Sequence, residues 1–145
     1  MMRKKPITDL TVLKEAYEYE KPSAFSRGMR IDIKDISFLF ISGTASIDEN
    51  GKTIHVGNFQ KQVERTYYNI KNLLKTEGAT WKDVVKVTVY IKDINKYYDE
   101  FNKLRLDFFK KEGIKPFPAS VGIQATLCRD DLLVEMDAIA VLNKI

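Results

Sequence analysis

The chain has 145 residues, 44% hydrophobic and 30% charged, with a formal net charge of +4. That is the length of one domain with enough apolar residues for a core, and no apolar run is long enough to span a bilayer. One cysteine, Cys128, rules out an internal disulfide and fits a reducing cytoplasm. The lysines are spread along the chain, so a nucleic-acid partner is not expected. The basic start Met1-Met2-Arg3-Lys4-Lys5 has no apolar run behind it, so no signal peptide is expected either.

Residues 1–23 read as an N-terminal extension. Leu10, Val12, Leu13 and Tyr17 suit a short helix with one apolar stripe, or an arm packing on the body, and Pro22 limits any helix. Residues 24–145 read as the domain proper. Ala24 to Gly43 predicts two strands with a turn at Lys34-Asp35. Small residues follow, Ser42-Gly43-Thr44-Ala45-Ser46, where a backbone or ligand can come close. Asp48-Glu49-Asn50-Gly51 is a turn.

Val63, Tyr67, Ile70 and Leu74 place a core-facing stripe on a helix over residues 58–77, stopped at Gly78. Residues 83–93 predict a strand with Val85, Val87, Val89 and Ile91 on its apolar face. A second helix over 95–111 has the stripe Tyr97, Phe101, Leu104 and Phe108, and Gly113 ends it. Pro116-Phe117-Pro118 leads into a strand over 119–128, read with Ala119, Val121 and Ile123 toward the helices and Ser120, Gly122, Gln124 and Cys128 away from them. The last strand runs over residues 132–140. Val134, Met136, Ala138 and Ala140 form its core face, while Glu135 and Asp137 point the other way. The order is β-β-α-β-α-β-β, an α+β fold with a mixed sheet and two helices on one face.

The second sheet face is mostly neutral, small or aromatic, with Phe38, Phe40, Ser42, Thr88, Tyr90 and Ile139 around the two carboxylates. A solvated face would be rich in Lys and Glu. The pattern predicts contact with further copies of the chain, and sites at the subunit boundaries. The chemistry on offer is narrow. His55 reads as a surface residue in a turn, and no Cys/His/carboxylate cluster has metal-ligand spacing. Ser42-Gly43-Thr44 lacks the surroundings of a nucleophile elbow. Cys128 reads as a small buried thiol. Arg129 and Glu135 remain: an arginine can hold a carboxylate through a two-point fork, and a partly buried glutamate can pass a proton.

Phe40-Ile41-Ser42-Gly43, Gly78-Ala79, Asp83-Val84-Val85-Lys86-Val87-Thr88-Val89-Tyr90, Phe117-Pro118-Ala119 and Val134-Glu135-Met136-Asp137-Ala138-Ile139-Ala140 together resemble the RidA/YjgF family over residues 24–142. The resemblance implies a chorismate-mutase-like fold and a homotrimer whose sheets face inward, with sites in the three clefts between subunits. It implies hydrolysis of reactive enamines and imines derived from amino acids, such as 2-aminoacrylate. That family has an arginine directly after Pro-Ala, which binds the substrate carboxylate. Ser120 stands there in this chain and supplies neither charge nor fork, which counts against standard deaminase activity. Glu135 matches the family's glutamate, associated with positioning the attacking water, and Ser42 matches a site serine. Phe25 stands where the deaminases often have a tyrosine, and Asn102 lies near a site asparagine.

A second likeness is to the C-terminal half of chorismatases. It rests on Ala24-Phe25-Ser26-Arg27-Gly28, Ile41-Ser42-Gly43-Thr44-Ala45-Ser46-Ile47 and Cys128-Arg129-Asp130-Asp131-Leu132-Leu133-Val134-Glu135. In those enzymes the residues matching Arg129 and Glu135 are associated with carboxylate binding and substrate protonation. Cys128 matches a position that helps select the reaction course. The short stretch ahead of the likeness does not replace their additional N-terminal domain, so full chorismatase activity is not expected.

The expectation is a cytoplasmic RidA-like homotrimer, without cofactor or metal, that binds a small carboxylate-bearing metabolite. Glu135 is the candidate acid/base and Arg129 the anchor. Gly43 and Thr44 line the cleft, Phe25 and Tyr90 wall it, and Ser42, Ser120 and Cys128 complete it. Hydrolysis of an imine, enamine or enol ether leads. A non-catalytic metabolite-binding or protein-interaction trimer is the alternative, and an RNA-cleaving or translation-inhibiting role ranks third.

Overall fold

Both helices begin where a side chain takes up a free backbone N–H. Asn58 accepts from Lys61 at the start of α1 (Phe59–Thr76), and Asp93 accepts from Lys96 at the start of α2 (Ile94–Lys111). Gly78 and Gly113, with positive φ of 75° and 66°, follow their ends. The computed structural model describes residues 2–144. Six strands, β1 (Met2–Ile7), β2 (Gly28–Ile33), β3 (Ile36–Thr44), β4 (Val84–Ile91), β5 (Ala119–Gln124) and β6 (Val134–Asn143), form one sheet in the order β1-β2-β3-β6-β4-β5. Only β4 and β5 pair in parallel.

The predicted helices and five strands are present, and α1 and α2 share one face of the sheet. The core lies beneath them. Val63, Tyr67, Ile70 and Leu74 of α1 meet Leu39 and Ile41, Val87 and Val89, and Val134, Met136, Ala138 and Ala140, all buried. Tyr67, Trp81, Phe108 and Phe109 form an aromatic cluster with ring centroids 4.1 to 6.4 Å apart.

Three details differ from the sequence reading. The N-terminal stretch is not a regular helix but packs on the body: residues 2–7 form the edge strand β1, antiparallel to β2, and Val12 and Leu13 are buried in the core. Arg3, Lys4, Lys5 and Pro6 make up its middle, and such residues mask a strand from pattern reading while suiting a sheet edge. On β4, the pairing with β6 slips between Val84 and Lys86. Val84 therefore enters the core, and Val85, expected there, is 46% exposed.

The third difference concerns β5. It stops at Gln124, and its faces are the reverse of those predicted. Ser120, Gly122 and Gln124 lie beside Val87, Val89 and Ile91 on the helix side, whereas Val121 and Ile123 lie beside Thr88 and Tyr90 on the open side. Gln124 accepts a hydrogen bond from the Ile94 N–H at the start of α2, and a Cβ on Gly122 would lie 3.5 Å from the Tyr98 ring. A register change of one residue inverts a whole strand. Here both faces are neutral, so the pattern did not fix which one meets the helices.

Candidate active site

The site begins with a bulge. On β3, Ile41 pairs with Ala138 and Thr44 with Met136, so three steps on β3 answer two on β6. Ser42 and Gly43 occupy the bulge. A Cβ on Gly43 would lie 2.6 Å from Glu135 Oε1, closer than atoms can approach. Glycine at 43 is what leaves room for the Glu135 carboxyl. Thr44 does not line the cleft as expected. The bulge turns it into the core, fully buried, with its hydroxyl donating to the Ser42 carbonyl at 2.7 Å. The Ser42 hydroxyl donates to the Ser26 carbonyl at 2.6 Å, in a neighbouring depression that Phe25 also walls.

Glu135 opens into a cleft of about 720 Å³ that also holds Phe25, Arg27, Gly43, Cys128 and Arg129. The predicted pair Arg129 and Glu135 thus shares one chamber, with no ion pair between them within 4.0 Å. Arg129 Nη1 donates to the Gly51 carbonyl at 3.0 Å and to the Thr53 hydroxyl at 3.2 Å. Its turn is pinned by the buried Gln62 of α1, which donates to the Asp131 carbonyl and accepts from the Leu133 N–H.

Arg27, to which the sequence reading gave no role, faces the same cleft. It is 3% exposed, and its Nε and Nη2 donate to the Lys14 carbonyl at 2.9 and 2.7 Å. Nη2 also donates to the Tyr19 hydroxyl. The Tyr19 ring serves both guanidiniums: the Arg27 and Arg129 carbons sit 5.4 and 5.0 Å from its centroid. Lys14, Lys21 and Lys52 also line the cleft, which favours an anionic ligand.

Glu135 retains its proton to higher pH than an ordinary carboxyl. Burial is the larger cause and the like charge of Asp137 the second, while Arg27 opposes them. No protein donor among the described residues hydrogen-bonds to it. Asp137, two residues on and on the same face, accepts from the Tyr90 hydroxyl at 2.9 Å. That bond, more than burial, pushes the Tyr90 phenol up. Tyr90 stands beside Glu135 in the strand pairing but outside the cleft wall.

Cys128 is exposed at the cleft, not buried as expected. With β5 ending at Gln124, residue 128 lies in the turn before β6 and outside the layer beneath the helices. His55 is exposed in a turn with φ of 63°. Ser120 and Asn102 are separated from Glu135 by the sheet itself, on the helix side, where both line a second cavity beneath α2. Among the described residues, no group of three or more His, Cys, Asp or Glu could hold a metal ion, and no helix is long and apolar enough to cross a membrane.

Sequence reasoning misses Tyr19, in the N-terminal stretch, and Arg27, in the segment Ala24-Phe25-Ser26-Arg27-Gly28. Nothing local marks them. An arginine between a serine and a glycine becomes informative only when the chain returns Tyr19 and Arg129 to it.

A family model described as Endoribonuclease L-PSP matches residues 20–142. A RutC family protein of Pyrococcus abyssi is 37% identical over 108 residues, 74% of this chain and 81% of that protein. The 3-aminoacrylate deaminase RutC of Acinetobacter baylyi is 28% identical over 104 residues, 72% of this chain and 79% of that enzyme. The crystal structure of the Rid-family protein YyfA of Yersinia pestis, described as of unknown function, has a TM-score of 0.78 at 26% identity, covering 97% of this chain and all of that one.

Proposed function

The chain belongs to the endoribonuclease L-PSP family, the RidA/YjgF group, and on that premise we propose that it is a cytoplasmic homotrimer hydrolysing a small carboxylate-bearing imine or enamine in clefts between subunits. The observation that carries this reading is Glu135: a carboxyl with raised proton affinity and no ion-pair partner among the described residues, in a cleft with two arginines. The deaminase among its relatives supports the reaction class.

A conflict inside the protomer supports assembly with further copies of the chain. The family resemblance puts position 120 and Glu135 at one site, yet the sheet separates them. A neighbouring subunit is then needed to bring the second half. The open face supplies the contact: Phe40, Val121 and Ile123 are 40%, 46% and 43% exposed with no helix over them.

In the reaction, the Glu135 carboxyl gives its proton to the enamine carbon, leaving an iminium. The resulting carboxylate accepts a proton from water as the water oxygen bonds to the iminium carbon. The carbinolamine then expels ammonia and leaves a carbonyl. Arg129 and Arg27 keep the surroundings of Glu135 positive, which draws an anionic substrate into the cleft.

The test is ammonia release from 2-aminoacrylate and 3-aminoacrylate, with molecular mass by sedimentation. Acceleration by the native chain, lost in Glu135→Gln with trimers intact, supports the reading. Trimers that bind the compounds without accelerating their breakdown favour a second reading, a non-catalytic metabolite binder. Ser120 and Phe25, in place of the family's arginine and tyrosine, are the observations on its side.

A further inference from the structure

On the helix side of the sheet a second constellation is built around Arg105. Its Nη1 donates to the Ser120 hydroxyl at 3.3 Å, and its Nη2 donates to the Asn102 side-chain oxygen. The guanidinium carbon lies 5.0 Å from the centroid of the Phe101 ring. Asn102 and Arg105 share a side of α2 because three residues are nearly one turn. Two oxygens and a ring thus fix the fork's plane, and donors remain. Among the described residues no carboxylate lies within 4.0 Å of it.

This fork stands at the rim of a cavity of about 580 Å³ between α2 and strands β4 and β5. Val87, Val89, Leu106, Phe109 and Phe117 give it apolar walls, and Leu106 and Phe117 remain exposed. Lys103 adds a second cation at the rim. An apolar chamber with an unpaired, oriented guanidinium at its mouth suits an anion that carries an apolar body.

Resting on the composite site described above, we propose that Arg105 performs the carboxylate-binding task of the arginine absent at position 120, and that the chamber beside it selects ligands with an aliphatic or aromatic body. The small side chain of Ser120 lets the fork of α2 approach β5, and its hydroxyl orients that fork. The charge has moved from the strand to the helix that covers it.

Titration calorimetry with benzoate, 3-phenylpropionate and the uncharged benzamide tests this. The native chain binds both carboxylates more tightly than benzamide. Arg105→Met keeps the stem over Phe101 and removes the charge; it weakens both carboxylates by about 10- to 100-fold. Adding Ser120→Arg to Arg105→Met restores binding, because a fork returns to the same place from the strand. Native assembly with unchanged benzoate affinity in Arg105→Met overturns the proposal while leaving hydrolysis at Glu135 untouched, as does benzamide binding as tightly as benzoate. Arg105→Met that fails to assemble, with Ser120→Arg restoring assembly but not carboxylate binding, overturns it in favour of a subunit contact. A native chain that binds neither carboxylate overturns it outright, and ammonia release in the enamine assay then decides separately whether the hydrolase reading survives.

Discussion

Two polar clusters sit on this sheet, and they are built on opposite principles. Around Arg30, every charge is answered. Its guanidinium donates to Asp32 at 2.8 Å, Ser37 at 2.9 Å and Glu77 at 3.1 Å; Ser37 donates to Asp32 at 2.6 Å, and Lys5 pairs with Glu77 at 3.0 Å. Those bonds, the Ser37 hydroxyl first and Arg30 second, hold the Asp32 carboxyl below the usual range. Around Glu135 the charges are left open. Its neighbours are a second carboxylate and two arginines whose hydrogen bonds go to backbone carbonyls and hydroxyls. A closed network fixes β1 and β2 to the end of α1; an open one leaves the Glu135 carboxyl without a protein donor among the described residues.

The comparison breaks hardest at Glu135. Glu135→Gln lowers turnover by about 10²- to 10⁴-fold while leaving assembly and melting temperature near native. Its pH behaviour carries the opposite sign to that of Asp32. With its folded pKa raised, Glu135 contributes stability below the ordinary carboxylate range, and that contribution is lost as pH rises through the raised value. Turnover that needs the protonated form falls over the same window, and the melting-temperature profile of Glu135→Gln lacks this loss.

Gly43→Val forces the Glu135 carboxyl aside and costs about 10²-fold in turnover, read beside an unchanged circular-dichroism spectrum. Arg30→Met leaves Asp32 with Ser37 alone and Glu77 with Lys5 alone, and it lowers stability in urea unfolding by more than Arg129→Met does. Arg129→Met stays within about 1 kcal/mol of native stability yet weakens carboxylate binding about tenfold. Equal stability losses for Arg30→Met and Arg129→Met would erase the distinction between the clusters. Asp32, with its depressed pKa, contributes stability above the ordinary range that is lost as pH falls through the depressed value, so the acid limb of the native profile is shallower in Arg30→Met. The smallest effect is at Tyr90. Tyr90→Phe removes one hydrogen bond to Asp137 and costs about 1 kcal/mol, measured in the same unfolding experiment.

Much of the architecture was legible because its signals are periodic. Val63, Tyr67, Ile70 and Leu74 could only be a helix stripe, and the alternation through Val134–Ala140 could only be a strand with two faces. Glu135 stood out for the same reason, as a carboxylate in an apolar run. The edge strand β1 carried no such alternation. The faces of β5 were undecidable because Ser, Gly and Gln alternate there with Val and Ile and neither side is charged: Ser120, Gly122 and Gln124 turn toward α2, while Val121 and Ile123 stay exposed on the open side.

By itself the sequence determined the order of the elements after residue 24, the buried faces of the helices and of β6, the family, and the pairing of Arg129 with Glu135 as residues worth following. Tertiary structure alone decided which residues meet. It turned Thr44 inward at a bulge, exposed Cys128, brought Tyr19 and Arg27 to Glu135, and set Ser120 across the sheet under Arg105. The physical reason is the range of the interactions. Periodicity is set by neighbours a few residues apart, whereas bulges, cation–π contacts and sheet register are set by segments tens of residues away.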